Sequence, residues 1–432
     1  MSPAAGALGL LALIALLALR VPVAVAMGVV GAVGFGLLNG WDAAGFVLGV
    51  VPLEAVMPYG LSVVPLFVLM GAFAARAGLS ASLYRGVNAF LGHYRGGLAL
   101  ATVGACAAFG AICGSSLATA ATMARVALPE MRRYGYRDSL AAGAVAAGGT
   151  LGVLIPPSVI LVIYALVTEQ SIGALFAAAL LPGLLGTVLY MAAVAVRLRL
   201  DPSAGPAGRR FGGRERLRAV AETWPVFLLF ALVIGGIYLG WFSPTEAAAV
   251  GAAGALLLAW LRGGMTRGEA WAAVLETART TAMIFLILVG AALFNDFLET
   301  AGLPAALAGA VAGSGLPRYA VLVLLMLCYL VLGCFMDSLS MMLLTLPVVF
   351  PLVTSLGFDP VWFGILLVTV VEIGLITPPV GLNLFVIQSV DPELRLPTVV
   401  RGVMPFILAD VVRLALLILV PGLALWLPSL LP

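Results

Sequence analysis

The apolar residues of this chain come in long unbroken blocks, unlike the one-faced stripes of a soluble protein. The blocks cover 4–19, 23–38, 59–75, 97–113, 116–129, 138–167 and 171–196, then 224–241, 244–261, 270–294, 304–315, 319–335, 341–356, 360–390 and 397–431. Blocks of this kind predict helices that cross or enter a bilayer, because a span needs about 20 apolar residues. Between the two groups, the polar stretch 197–222 holds Arg197, Arg199, Arg209, Arg210, Arg214, Arg216 and Arg218 among Gly and Pro. It reads as a solvated linker beside a membrane, dividing the chain into near-equal halves. No basic segment precedes block 4–19, so that block reads as a first helix and not as a secretory signal. Arg20-Val21-Pro22 then turns the chain tightly into the second.

The halves repeat. At a constant offset of 222, Pro22 meets Pro244, Cys106 meets Cys328, Ser116 meets Ser338, and Pro129 meets Pro351. The same offset pairs Gly135 with Gly357, Gly152 with Gly374, and Pro156-Pro157 with Pro378-Pro379. With 26 Pro in 432 residues, four coincidences at one offset indicate duplication.

Arginine placement orients the halves. With the linker on the cytoplasmic side, the helix pair 224–261 returns to that side at Arg262 and Arg267. The first-half counterpart of that return, the loop 39–55, carries Asp42 and Glu54 but no Arg, which puts it outside. Arg76, Arg85 and Arg95 read as inside, whereas their partner segment offers Asn295, Asp296 and Glu299. The sides are exchanged, as in inverted-topology repeats. The Arg95 loop and the Arg132-Arg133-Arg137 loop share one side, so 97–131 reads as a re-entrant hairpin with its tip near Gly114-Ser115-Ser116. By the repeat, 319–356 is a second hairpin with its tip near Met336-Asp337-Ser338; pairs of ordinary spanning helices are the alternative.

Composition narrows the function. The chain is 63% apolar and 9% charged, which excludes a soluble enzyme, and its charge of +3, from 22 Arg and no Lys, reports loop placement and not nucleic-acid binding. Cys106, Cys113, Cys328 and Cys334 form no CxxC pair, and His93 stands alone in a cytoplasmic loop, so metal-assisted or nucleophilic enzyme chemistry lacks its residues.

The polar residues that remain sit at the tips and at two proline pairs. A Pro-Pro pair in mid-membrane removes backbone donors, so Gly149 through Ser158 and Gly374 through Pro379 are expected to unwind. Matching breaks in inverted repeats mark a binding site at the repeat interface. A monovalent cation wants several oxygens, which free carbonyls and hydroxyls supply. The first tip (Gly114, Ser115, Ser116, Thr119) faces the first break (Gly149, Thr150, Pro156, Ser158) as one candidate sodium site. The second tip (Asp337, Ser338, Ser340) faces Glu372, Gly374, Thr377 and Asn383 as another. Between them Pro157, Ser158, Ser340, Pro379 and Asn383 are assigned to substrate. Small hydroxyl residues also close-pack membrane helices, so each ligand assignment has a packing alternative. Glu246, in Ser243-Pro244-Thr245-Glu246, is either a functional carboxylate or a helix cap, and Asp337 and Glu372 carry a proton in the alternative to sodium.

Five stretches resemble the large membrane subunit of tripartite ATP-independent periplasmic (TRAP) transporters: GSSLATAATMARVALPEMRRYGY (114–136), GGTLGVLIPPSVILVIYALVTEQSIGALFAAALLPGLL (148–185), GGIYLGWFSPTEAAAVGA (235–252), DSLSMMLLTLPVVFPL (337–352) and TPPVGLN (377–383). The resemblance implies an all-α polytopic inner-membrane protein with an elevator-type ion-transporter architecture. It implies sodium-driven import of an organic anion such as a C4-dicarboxylate or sugar acid. Partners are a soluble periplasmic binding protein and a small four-helix membrane subunit, and no organic cofactor is implied. Scaffold helices fall at 1–96 and 223–303, transport-domain segments at 97–200 and 304–432, and the linker at 201–222. A stand-alone sodium- or proton-coupled carboxylate symporter is the alternative, and a channel is disfavoured because polarity gathers at tips and breaks.

Overall fold

The computed structural model describes residues 2–262 and 265–430; the far end of the block expected at 397–431 lies outside them, as do the terminal positions 1 and 432. The first half folds into α1 (Pro3–Ala18), α2 (Val23–Asn39), α3 (Trp41–Val56), α4 (Val63–Arg76), α5 (Leu79–Leu91), α6 (Gly97–Cys113), α7 (Ser116–Arg133), α8 (Asp138–Leu154), α9 (Val159–Val167) and α10 (Ile172–Leu200). The second half gives α11 (Gly213–Tyr238), α12 (Pro244–Leu261), α13 (Arg267–Ala301), α14 (Leu303–Gly313), α15 (Arg318–Gly333), α16 (Ser338–Ser355), α17 (Pro360–Ile376), α18 (Leu382–Val390) and α19 (Leu396–Leu419). Among the described residues, seven helices are long and apolar enough to cross a membrane, and the pair α8–α9, bent by 40° at its break, makes an eighth if it counts as one span.

The offset of 222 carries over from residues to helices. It maps α7 onto α16 and α8 onto α17 end to end, and the other elements onto their partners within a few residues, except that α11 begins at Gly213, well before the Pro225 to which the start of α1 projects, and that one helix replaces two. The 35-residue α13 spans alone what α3 and α4 span together. Met57-Pro58 ends α3, whereas Arg279-Thr280 in the second half leaves the helix intact. Packing is reciprocal across the halves: α2 lies on α13 and α12 on α4, α8 on α19 and α17 on α10, α7 on α18 and α16 on α9. A two-fold relation between repeats produces such exchange.

The core is built around α8 and α17. Every residue from Leu140 to Leu154 and from Trp362 to Ile376 is buried, as suits helices that are apolar all round. The outer helices α1, α2, α11, α12 and α13 leave Leu, Val and Trp side chains exposed, the surface a hydrocarbon solvent accepts.

Three expectations change. The stretch 39–55, read as a loop, is largely the helix α3. The Arg-rich stretch is helical at both ends, leaving 201–212 as a strap that is packed and not freely solvated. Gly96 N–H donates to the Gly205 carbonyl at 2.9 Å and Gly208 N–H to that of Gly92 at 2.9 Å; Ala204 is buried, and Arg137 pairs with Asp201. The Ser203 hydroxyl, then Arg137 and Arg197, hold the Asp201 carboxyl below its usual range, so this anchor persists as pH falls until that lowered value is crossed. Finally, the breaks are shorter than expected: α8 stays helical through Leu154 and α17 through Ile376, confining the irregular backbone to 155–158 and 377–381. The glycines serve packing. A Cβ on Gly110 would lie 2.1 Å from the Gly152 Cα, and one on Gly374 would lie 2.6 Å from the Gly333 carbonyl carbon.

Candidate functional site

Both tips form where helices end and restart. Gly114 closes α6 with φ +62°, a left-handed conformation that a Cβ would strain, and Ser115 then caps α7 by accepting the Ala118 N–H. In the second half Asp337 caps α16, accepting the Ser340 N–H at 3.0 Å. Each tip lies on its own break. A Cβ on Gly114 would come within 3.1 Å of the Pro157 carbonyl oxygen, and Gly381 N–H donates to the Cys334 carbonyl at 3.1 Å. The C-terminal ends of α6, α8, α15 and α17 therefore meet the N-terminal ends of α7, α9, α16 and α18. Carbonyl ends favour a cation and amide ends an anion.

Within the first candidate site, Ser116 and Thr119 are buried, and the Thr119 hydroxyl has no hydrogen-bond partner among the described residues. Gly149 sits against them: a Cβ there would be 3.1 Å from the Ser116 carbonyl oxygen. Thr150 turns away, donating to the Ala147 carbonyl at 2.7 Å and lying 3.1 Å from the Tyr190 hydroxyl. Pro156 belongs to the break and Ser158 caps α9. In the second site the Ser338 hydroxyl donates to Glu372 Oε1 at 3.3 Å, with Ser116 of the first tip another neighbour of that carboxylate, while Oε2 has no partner among the described residues. Thr377 is turned onto the Ile373 carbonyl at 2.6 Å, and Gly374 is occupied by its contact with Gly333. Asn383 crosses to the other half, its amide donating to the Ala146 carbonyl at 3.1 Å while its own oxygen is unpartnered.

A cavity of about 570 Å³ joins the two tips. Its floor holds Ser115, Ser116, Asp337 and Ser338, and its wall is completed by α4 and α13. Ser158, Ser340, Pro157, Pro379 and Asn383, the residues assigned to substrate, do not line it. Arg76 and Glu276, paired at 2.7 Å, and Arg125 do.

Two groups escaped the sequence reading. Arg125 stands inside a block treated as uniformly apolar. Asp410 and Arg413, fully buried on α19 and 2.8 Å apart, form a cluster with Tyr190, whose hydroxyl donates to Asp410 at 2.5 Å. Ionisable residues inside an apolar block are the available signal for both. Glu246 proves to be a cap: Ser243 N–H and hydroxyl each donate to its carboxylate at 2.8 Å. No cluster of His, Cys, Asp and Glu suited to a metal occurs among the described residues.

Comparison with known proteins agrees with this architecture. Residues 10–423 match the family model described as "Tripartite ATP-independent periplasmic transporter, DctM component". The C4-dicarboxylate TRAP transporter large permease protein of Pseudomonas aeruginosa is 39% identical over 86% of each chain. The ectoine/5-hydroxyectoine TRAP transporter large permease protein of Ruegeria pomeroyi is 36% identical over 88% of each. Among solved structures, the YdaH transporter of Alcanivorax borkumensis superposes with a TM-score of 0.64 over 89% of each chain at 17% identity, a likeness of fold.

Proposed function

The chain belongs to the DctM-component family of tripartite ATP-independent periplasmic transporters, integral proteins of the inner membrane, and on that premise we propose that it imports an organic anion by sodium symport. The observation that carries this reading is that each hairpin tip meets a helix break at repeat-equivalent positions and that both tips line one cavity. The carbonyl ends of four broken or re-entrant helices, with hydroxyls beside them, are the ligand type that a monovalent cation selects.

In this reading Ser115, Ser116, Thr119, Gly149, Thr150 and Pro156 surround a first sodium, and Asp337, Ser338, Glu372, Gly374 and Thr377 a second. The unpartnered oxygens of Thr119 and Glu372 favour ligands there. The hairpins and broken helices, 97–200 and 304–432, move as a transport domain against the scaffold 1–96 and 223–303. The substrate is a carboxylate, the chemistry common to dicarboxylates and ectoine, which the names of the two relatives carry. A periplasmic binding protein delivers it, and a small membrane subunit completes the complex. A proton-coupled symporter is the second reading, favoured by the buried, half-satisfied carboxyl of Glu372.

The test is uptake of labelled organic acids into liposomes holding this chain and its small subunit, with and without a sodium gradient and the binding protein. Uptake that needs both supports the proposal. Uptake driven by a proton gradient alone overturns it in favour of Glu372. Ser116→Ala is expected to raise the sodium concentration for half-maximal uptake several-fold with expression unchanged.

A further inference from the structure

The cavity carries four charged side chains, and three are engaged. Arg76 and Glu276 neutralise one another across the α4–α13 wall, and Asp337 caps α16. Arg125 alone has no carboxylate within ion-pair distance among the described residues, and its guanidinium makes no hydrogen bond to them. It projects from α7, the helix whose first turn forms the first tip, at a point about 14 Å of helix rise beyond Ser116. Long side chains on a helix lean back toward its N-terminus, here toward the Ser115–Ser116 tip. The rest of the nearby wall is mainly apolar, including Val68, Ala72, Met283 and Ile284, with Thr122 and Thr280 as its hydroxyl-bearing members.

We propose that Arg125 is the anchor for an acid group of the transported molecule, the residue that makes this cavity selective for carboxylates. This deepens the import reading and rests on it. A guanidinium offers two parallel N–H donors matched to a carboxylate and keeps its charge at every working pH, so recognition needs no proton. The amide end of α7 faces the other end of the molecule, where the helix dipole favours a second oxygen-rich group. The same charge opposes futile movement. An unpaired guanidinium is costly to carry past the apolar faces of α4 and α13, whereas one paired with substrate is not, so the loaded domain moves more readily than the empty one.

The test is thermal unfolding of the detergent-purified full chain, titrated at constant sodium and ionic strength with succinate, gluconate or ectoine. At least one carboxylate raises the wild-type midpoint. Arg125→Gln raises its half-saturating concentration by about tenfold or more, the loss of a charge-assisted pair, and Arg125→Lys by less. Arg133→Gln, which removes a charge from the same helix outside the cavity, behaves as wild type. A wild type that responds to none of the three acids, or an Arg125→Gln variant that responds as wild type does, overturns the anchor. The shift produced by sodium alone is read in the same variants. Its absence counts against sodium coupling while leaving the Arg125 result intact.

Discussion

At the residue scale the most demanding feature is the charge buried in the core of the second half. Arg413 and Asp410 are fully buried, and the guanidinium lies 6.0 Å from the Tyr190 ring centre. The fit depends on a missing side chain, because a Cβ on Gly186 would stand 2.3 Å from an Arg413 guanidinium nitrogen. Removing one partner strands the other in a medium that cannot solvate it, at about 3–5 kcal/mol, whereas replacing both with apolar groups is often nearly neutral. Arg413→Met is therefore expected to lower the thermal midpoint sharply, and Arg413→Met with Asp410→Leu to recover most of it. A double variant no better than the single one would show that the pair does more than neutralise itself. The pair was legible in principle, since Asp and Arg three residues apart inside an apolar block place two charges on one helix face. Their partner Tyr190 was not legible, because the distance in sequence from Asp410 is closed only by folding.

At the element scale the breaks and crossings divide the work. The proline pairs stop α8 and α17, but the glycines before them remain helical and let two hairpin helices approach at Gly110·Gly152 and Gly333·Gly374. Sequence reasoning merged these roles, since Gly and Pro both weaken a helix, and only the crossings tell a packing glycine from a breaking one. Gly152→Ala places a Cβ 2.5 Å from the Gly110 Cα, where backbone and not a flexible side chain must give way. A loss of about 1–3 kcal/mol is expected, seen as a lower midpoint and reduced uptake, with Gly135→Ala at an uncrowded turn as the comparison. Gly135 has φ +76°, so that comparison carries its own strain penalty of about 1 kcal/mol without any clash at the site.

At the scale of the whole molecule the question is whether one half-built body slides on another. Gly71 on α4 faces the first tip, and an ideal Cβ there lies 3.0 Å from the Cys113 Cα, within reach of a disulfide to the native thiol. In a background lacking the other three cysteines, oxidised Gly71→Cys is expected to lose uptake and regain it on reduction. A cross-linked carrier that imports at the rate of the reduced one would rule out movement of the tip against α4. The reciprocal packing of the halves supports such a division, because each half supplies both an outer pair and a tip-and-break unit.

Hydrophobic blocks, prolines and the single offset of 222 determined the helical class, the duplication, the positions of the tips and the family resemblance, because these depend on local composition and spacing. The tertiary structure decided which oxygens are left without partners, that Thr150 faces Tyr190 and not the tip, and that Asn383 reaches across to the Ala146 carbonyl. It also decided that Arg125 lines the cavity whereas Pro157, Ser158, Ser340, Pro379 and Asn383 do not. The physical reason is that a helix fixes neighbours three and four residues apart, whereas a site between helices is fixed by crossings whose glycine contacts join residues far apart in the chain.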